Sequence, residues 1–218
     1  MSRPVWLPAL QDVVRSVHAR DLPLPPPSGV YRRSAVLILF GEDDAAGGTD
    51  RGGGPDVLLT ERSATMRSHP GQVSFPGGAL DPSDDGPVAC ALREAREETG
   101  LDPDGVEPVG VLPDLFLPIG DFEVTPVVAW WRTPCDVHAV DEAEVARAVR
   151  VPVAELTDPA NRFLVRHPSG WQGPGFSASG LFVWGFTAAL LDRVLHHAGW
   201  ERAWDATRVE PIRVGGRA

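Results

Sequence analysis

Lysine is absent from the chain: all 20 basic residues are arginine. Any cationic clamp on an anionic ligand is therefore built from guanidinium groups, which hold phosphate oxygens in pairs. Cysteine is nearly absent, with only Cys90 and Cys135. That excludes a disulfide framework or a cysteine-built zinc site and fits a reducing compartment, with the cytoplasm as the expected location. No stretch reaches the ~18 apolar residues of a membrane span, and the N-terminus lacks a basic segment leading into an apolar run. Neither membrane insertion nor secretion is expected. Positive charge is also in deficit, 30 acidic against 20 basic residues for a net charge of −10. Such a surface does not suit nucleic acid, whose binding needs cations to release counterions. A small anionic ligand would need local help, from a metal or from clustered arginines.

The 218 residues, 43% of them hydrophobic, suffice for one sizeable core. Residues 6–18 place Leu7, Leu10, Val13, Val14 and Val17 at helical spacing, and the prolines of 22–27 end that helix. Residues 1–30 thus form a helix with a proline-rich lead-in. Strands are expected at 35–40, buried on both faces, and at 57–60, joined by a Gly- and Asp-rich surface loop over 41–55. Residues 62–75 show no period and are expected to be an irregular connection. Further strands are expected at 106–112 and 123–131, separated by turns over 113–121. A short helix is expected at 142–148, then strands at 149–153, 161–167 and 181–184, the last two flanking a Gly-, Ser- and Pro-rich loop, and a helix at 186–197. This irregular alternation predicts an α/β or α+β layered domain with a mixed sheet, ending near residue 200 and followed by a tail over 201–218.

The most complete helix signals lie at 87–99, with Asp85 or Gly86 at the cap, Pro87 in the first turn and Gly100 as the stop. With Glu94 at zero on a helical wheel, Glu97 falls near −60° and Glu98 near +40°, at about 100° per residue. Val88, Ala91, Leu92, Ala95 and Thr99 fall between about 60° and 160° and form the core stripe. Three carboxylates therefore share one arc beside the buried face. Like charges at such spacing destabilise a helix unless a cation joins them, and hard ions such as Mg²⁺ favour carboxylate oxygens. A solvated helix face stapled by Arg93 and Glu97 would carry the same residue types.

Context separates the two. Gly78 and the run REAREETGL (residues 93–101) resemble the Nudix box, in which a glycine and a spaced acid precede R-E-apolar-x-E-E-x-G-apolar. The second half matches at every specified position. In the first half the acid is Asp84 or Asp85 where the family has Glu, and Gly78 stands one residue further from Arg93 than the common spacing. Residues 58–78 match LLTxRSx3Rx3Gx3FPGG, which resembles the signature of the coenzyme A pyrophosphatase branch of this superfamily. Residues 151–156 and 184–188 are also similar to segments of that branch.

The resemblance implies an α/β/α sandwich with a mixed sheet and a loop–helix–loop motif, the Nudix domain covering 31–200. It implies cleavage of a diphosphate by a metal-activated water, with Mg²⁺ or Mn²⁺ held by Glu94, Glu97 and Glu98. For coenzyme A or its acyl derivatives the products are 3′,5′-ADP and (acyl-)4′-phosphopantetheine. Rival readings are a Nudix hydrolase of ADP-ribose or a dinucleotide such as NADH, and a binding-only nucleotide sensor. A homodimer is the candidate assembly. Arg93 is expected to orient the glutamates. Arg62 and Arg67 are candidates for clamping substrate phosphates or, alternatively, for structural ion pairs. Gly77 and Gly78 allow close backbone approach to phosphate, as they would allow a plain tight turn. Glu144, on the short helix expected before residue 149, is a candidate base or ligand, against a solvated helix residue among Asp141 and Glu142. His69 is expected to be a loop residue, and Trp130, Trp131 and Trp184 to serve packing.

Overall fold

In chain order the elements of the computed structural model are α1 (Leu7–Ser16), β1 (Arg32–Glu42), β2 (Pro55–Arg62), β3 (Val73–Ser74), β4 (Gly77–Ala79), α2 (Gly86–Thr99), β5 (Val106–Val111), β6 (Leu115–Leu117), β7 (Phe122–Trp131), β8 (Val145–Pro152), α3 (Val153–Leu156), β9 (Arg162–Arg166), β10 (Gln172–Ala178), β11 (Leu181–Val183), α4 (Gly185–His197) and β12 (Val209–Pro211). The structure describes residues 3–22, 29, 31–42, 54–66, 70–117 and 120–212. The surface loop expected over 41–55 and the proline run of 22–27 fall mostly outside these, as do the last residues of the tail.

β1 is the axis of the main sheet. It runs parallel to β7 from Arg32↔Phe122 to Phe40↔Trp130 and antiparallel to two strands on its other side. Those two are β2, opposite its C-terminal end at Phe40↔Val57, and β4, opposite its N-terminal half at Ala35↔Gly78. β2 pairs along its length with β8 and continues past β1 to pair with β3. The sheet is therefore split along the edge of β1, and the split separates β4 from the far end of β2. β9 to β12 form a second, four-stranded sheet in the order β11-β10-β9-β12.

Alternation along β1 supplies two cores. Ala35, Leu37 and Leu39 face α2 together with Val127, Ala129, Trp131 and the helix residues Cys90, Ala91 and Ala95. Ile38 and Phe40 face the opposite layer, where α1 (Leu7, Leu10, Val13) and α4 (Leu190, Leu191, Val194, Leu195) close over the sheet with Phe176 and Val183 of the second sheet. Period-2 burial on both faces is what a central strand covered by helices requires. The result is the expected helix, mixed sheet, helix layering. No helix among the described residues is long and apolar enough to cross a membrane.

Four expectations are corrected. Residues 145–148 are strand: β8 pairs with β2 from Asp56↔Pro152 to Arg62↔Val145, so the helix expected at 142–148 does not form and Glu144 sits in the turn before β8. Cross-strand pairing with β2 overrides the helix propensity of Ala, Glu and Arg there. The turn segment 113–121 contains β6, pairing with β7 at Leu115↔Val124. The irregular stretch 62–75 contains β3. The Gly- and Pro-rich loop before residue 181 is mostly β10, the strand between β9 and β11. A Cβ on Gly175 would stand 2.4 Å from Val165 Cγ2 and 2.7 Å from the Phe163 ring. The neighbouring strand's side chains fill that space, which is why a residue that weakens strands lies inside one.

Candidate active site

α2 ends at Gly100, whose φ of 70° lies in the left-handed region that glycine tolerates. Burial of Cys90, Ala91, Ala95 and Thr99 fixes the roll of the helix. Glu94 and Glu98 then lie on the flank facing β4, and Glu97 points outward with its side chain 58% exposed. Each glycine of β4 meets one of the inner glutamates. The Gly77 N–H donates to Glu98 Oε2 at 3.3 Å. Gly78 lies against Glu94: a Cβ there would stand 2.5 Å from the Glu94 carboxyl carbon.

Arg93 organises the outer side of this group. Its Nε and Nη2 each donate to one Asp84 oxygen at 2.9 Å, a bidentate pair. Nη1 donates to Glu94 Oε1 and Glu97 Oε2, both at 3.0 Å, and Nη2 also to the Ala79 carbonyl at 3.1 Å. Asp84 further accepts from the Asp81 N–H at 2.8 Å. Arg93, then the Asp81 N–H, hold its carboxyl down at about 2. Asp84 is thus the acid engaged by Arg93, and its oxygens are committed to that pair. Beneath β4, burial pushes the Cys90 thiol up to about 11, with Sγ donating to the Gly78 and Ala79 carbonyls.

Glu98 is the most perturbed carboxyl of the group. Burial pushes it up to about 7, the Gly77 N–H offsets part of the rise, and the charges of Glu94 and Glu144 raise it while Arg62 lowers it. Glu94 is likewise raised by burial and partly compensated by Arg93. Residues from three elements therefore act on one carboxyl: α2, the end of β2 and the turn before β8. Arg62 Nε is buried without a hydrogen-bond partner among the described residues. Its backbone N–H donates to the Gln72 carbonyl at 2.9 Å, and its carbonyl accepts from the Gly71 N–H at 3.1 Å. The Ser63 N–H donates to the Glu144 carbonyl at 2.9 Å, which brings the turn beside the end of β2. Arg67 and His69 lie outside the described residues.

The donor set suits a hard divalent cation: it offers carboxylate oxygens only, and among the described residues the half-buried Glu98 carboxyl has one N–H donor. Among the described residues no three acidic, histidine or cysteine side chains close on one point as a metal cluster. Here the Arg93 guanidinium stands between Glu94 and Glu97.

Trp130 and Trp131 are buried, and Trp184 stacks on His167 with centroids 6.3 Å apart. A concavity of about 550 Å³ lined by Arg96, Gly100, Leu101, Asp102, Pro103 and Asp104 shares none of the inner carboxylates. Sequence reasoning left Asp84 and Asp85 undivided and did not foresee the juxtaposition of Arg62, Glu98 and Glu144. No local pattern signals either.

A split mixed sheet with a carboxylate helix laid over a Gly-Gly strand is the arrangement of a Nudix domain. A family model for the NUDIX domain matches residues 30–170. The chain belongs to the Nudix family. It is 42% identical over 144 residues to the uncharacterized Nudix hydrolase NudL of Enterobacter sp. strain 638, covering 63% of this chain and 72% of that one. To NudL of Escherichia fergusonii it is 40% identical over 168 residues, covering 74% and 80%. Among solved structures, the Mycobacterium smegmatis Nudix hydrolase RenU superposes with a TM-score of 0.54 at 19% identity, over 84% of this chain and 97% of that one, a likeness of fold.

Proposed function

We propose that the chain hydrolyses the diphosphate of coenzyme A or acyl-coenzyme A, giving 3′,5′-ADP and (acyl-)4′-phosphopantetheine. The observation that carries hydrolysis is the half-buried Glu98 carboxyl held by the Gly77 N–H, with Glu94, Arg62 and Glu144 near enough for their charges to act on it. Support for coenzyme A comes from the 58–78 signature, whose Arg62 ends β2 near this carboxyl, whose Gly77 bonds it and whose Gly78 lies against Glu94.

Held by Glu94, Glu97 and Glu98, Mg²⁺ or Mn²⁺ would neutralise diphosphate charge and acidify a water molecule. Arg93 keeps Glu94 and Glu97 oriented from behind, itself fixed by Asp84. Arg62 presents a buried N–H to a phosphate oxygen, where charge builds as the new P–O bond forms. Glu144 takes the proton of the attacking water. Water oxygen bonds to one phosphorus, the bridging P–O bond breaks, and the departing phosphate leaves as a dianion without needing that proton.

The test is product identification after incubation with coenzyme A and Mg²⁺ or Mn²⁺, beside 3′-dephospho-coenzyme A, NADH and ADP-ribose. Release of 3′,5′-ADP with coenzyme A the fastest substrate is the expected result. Equal rates with and without the 3′-phosphate would refute the coenzyme A reading, and binding without any phosphorus product would indicate a nucleotide sensor.

A further inference from the structure

β8 and β2 pair with a constant register from Asp56↔Pro152 to Glu61↔Arg147, and then the register slips. Arg62 pairs with Val145, so Ala146 is passed over as the extra residue of a β-bulge. Without it, Arg62 would stand opposite Ala146 and Ser63 opposite Val145. With it, Glu144 is drawn level with Ser63, whose N–H donates to the Glu144 carbonyl at 2.9 Å. The slip thus moves Glu144 one residue along β2, a shift of roughly 3.3 Å at strand spacing. Bulges commonly sit beside active sites because one extra residue re-aims the side chains that follow it.

The last regular pair before the slip is an ion pair. Arg147 Nε donates to Glu61 Oε2 at 2.6 Å, and Arg147 Nη2 donates to the Gly180 carbonyl at 3.3 Å. That carbonyl belongs to the β10–β11 turn, which is secured independently: Ser179 N and Oγ donate to Glu155 Oε2 at 2.7 and 3.0 Å. Glu155 lies on α3, directly after β8. Arg147 is therefore held by β2 on one side and the second sheet on the other, one residue from the bulge.

We infer that the Ala146 bulge, clamped by the Arg147–Glu61 pair and the Gly180 carbonyl, sets Glu144 and Arg62 toward Glu98, which makes Arg147 a positioning residue for the reaction. This rests on the roles proposed above for Glu144 and Arg62. Arg147 touches no reacting atom; it acts through the strand end that carries Glu144.

The experiment is a double-mutant cycle, run on whichever diphosphate the wild-type chain cleaves fastest, so that failure of the coenzyme A reading leaves it intact. Glu144→Gln alone is expected to lower kcat about 100-fold, the scale of a general base. Arg147→Ala is expected to lower kcat by about tenfold or more, because small misplacements of a reacting group carry such losses. Arg147→Lys, which keeps a cation against Glu61, is expected to recover most of it. In the Arg147→Ala background, Glu144→Gln is expected to cost much less than in the wild type. Fully multiplicative losses, or an Arg147→Ala kcat equal to wild type beside a crippled Glu144→Gln, would overturn the inference. A neutral Glu144→Gln would instead overturn the base assignment and the positioning role built on it.

Discussion

The Glu94 carboxylate occupies the space a side chain at Gly78 would need, with the carboxyl carbon 2.5 Å from the position of a Cβ. Gly77, one residue earlier, is crowded differently: a Cβ there would stand 2.3 Å from the Ala35 carbonyl oxygen and 2.7 Å from Val36 Cα. One glycine clears room for a flexible acid, the other for fixed backbone.

The two alanine substitutions should therefore separate. Gly78→Ala is expected to fold normally and lose about tenfold or more in kcat, because Glu94 must turn away. Gly77→Ala must move a strand and is expected to lose about 3 kcal/mol of stability. Thermal melts beside initial rates check both, and a fully active Gly78→Ala would refute the role given to Glu94.

Asp84→Asn leaves Arg93 with a neutral partner. Loss of such a supporting pair is expected to weaken Mn²⁺ binding and activation by about tenfold while the fold persists. Titration of Mn²⁺ by electron paramagnetic resonance reads this directly. Unchanged affinity would show that Arg93 orients Glu94 and Glu97 without Asp84.

Glu98 gives a pH dependence of definite sign. Its carboxyl is raised from an ordinary 4.5 to about 7 by burial. The metal-free protein should hold that contribution in full below pH 4.5 and lose it as pH rises through 7. Glu98→Gln should therefore match wild type near pH 4.5 and exceed it by roughly 1–3 kcal/mol at pH 8, at 1.36 kcal/mol per pKa unit. It should also abolish turnover with the fold intact. Denaturant melts in chelator at both pH values test the first point, and a stability gap independent of pH would disprove it.

Arg162 is buried, its guanidinium bonded to Asp192 at 2.5 Å and Glu201 at 3.2 Å and lying over the Phe176 and Trp204 rings. Arg162→Ala takes the buried guanidinium from Asp192 and Glu201 and leaves Asp192 only Arg193, at 2.6 Å, so it is expected to cost about 3 kcal/mol. Replacing the pair together, Arg162→Met with Asp192→Leu, should recover much of it, since the desolvation cost of both charges disappears. Equal losses in the single and double variants would argue against the ion pair as the cause.

Where chemistry is written in neighbouring residues, the sequence was informative. Glu94, Glu97, Glu98 and Arg93 share a helix, so the 3.6-residue period places them, and Pro87 and Gly100 mark its ends. Arg62 and Glu144 come together only because β2 pairs with β8, and nothing near either residue encodes that pairing. The same pairing made a strand of residues rich in helix formers. In β10 the reason for Gly175 is Phe163, a residue of the adjacent strand, so local reading saw a loop. Asp84 and Asp85 look alike in one dimension; the Arg93 fork distinguishes them.

Leu7, Leu10 and Val13 of α1 and Leu190, Leu191, Val194 and Leu195 of α4 lie outside residues 30–170, yet they fill the same core as Ile38, Phe40 and Val128. Thr187, in the first turn of α4, donates to the Val73 carbonyl at 2.9 Å inside the 58–78 segment. A chain trimmed to the matched span would keep every carboxylate named for the reaction and lose α1 and α4 from one face of its sheet. Ancestry and packing draw different borders on this molecule: the inherited chemistry fits within the narrower one, and the core fills the wider.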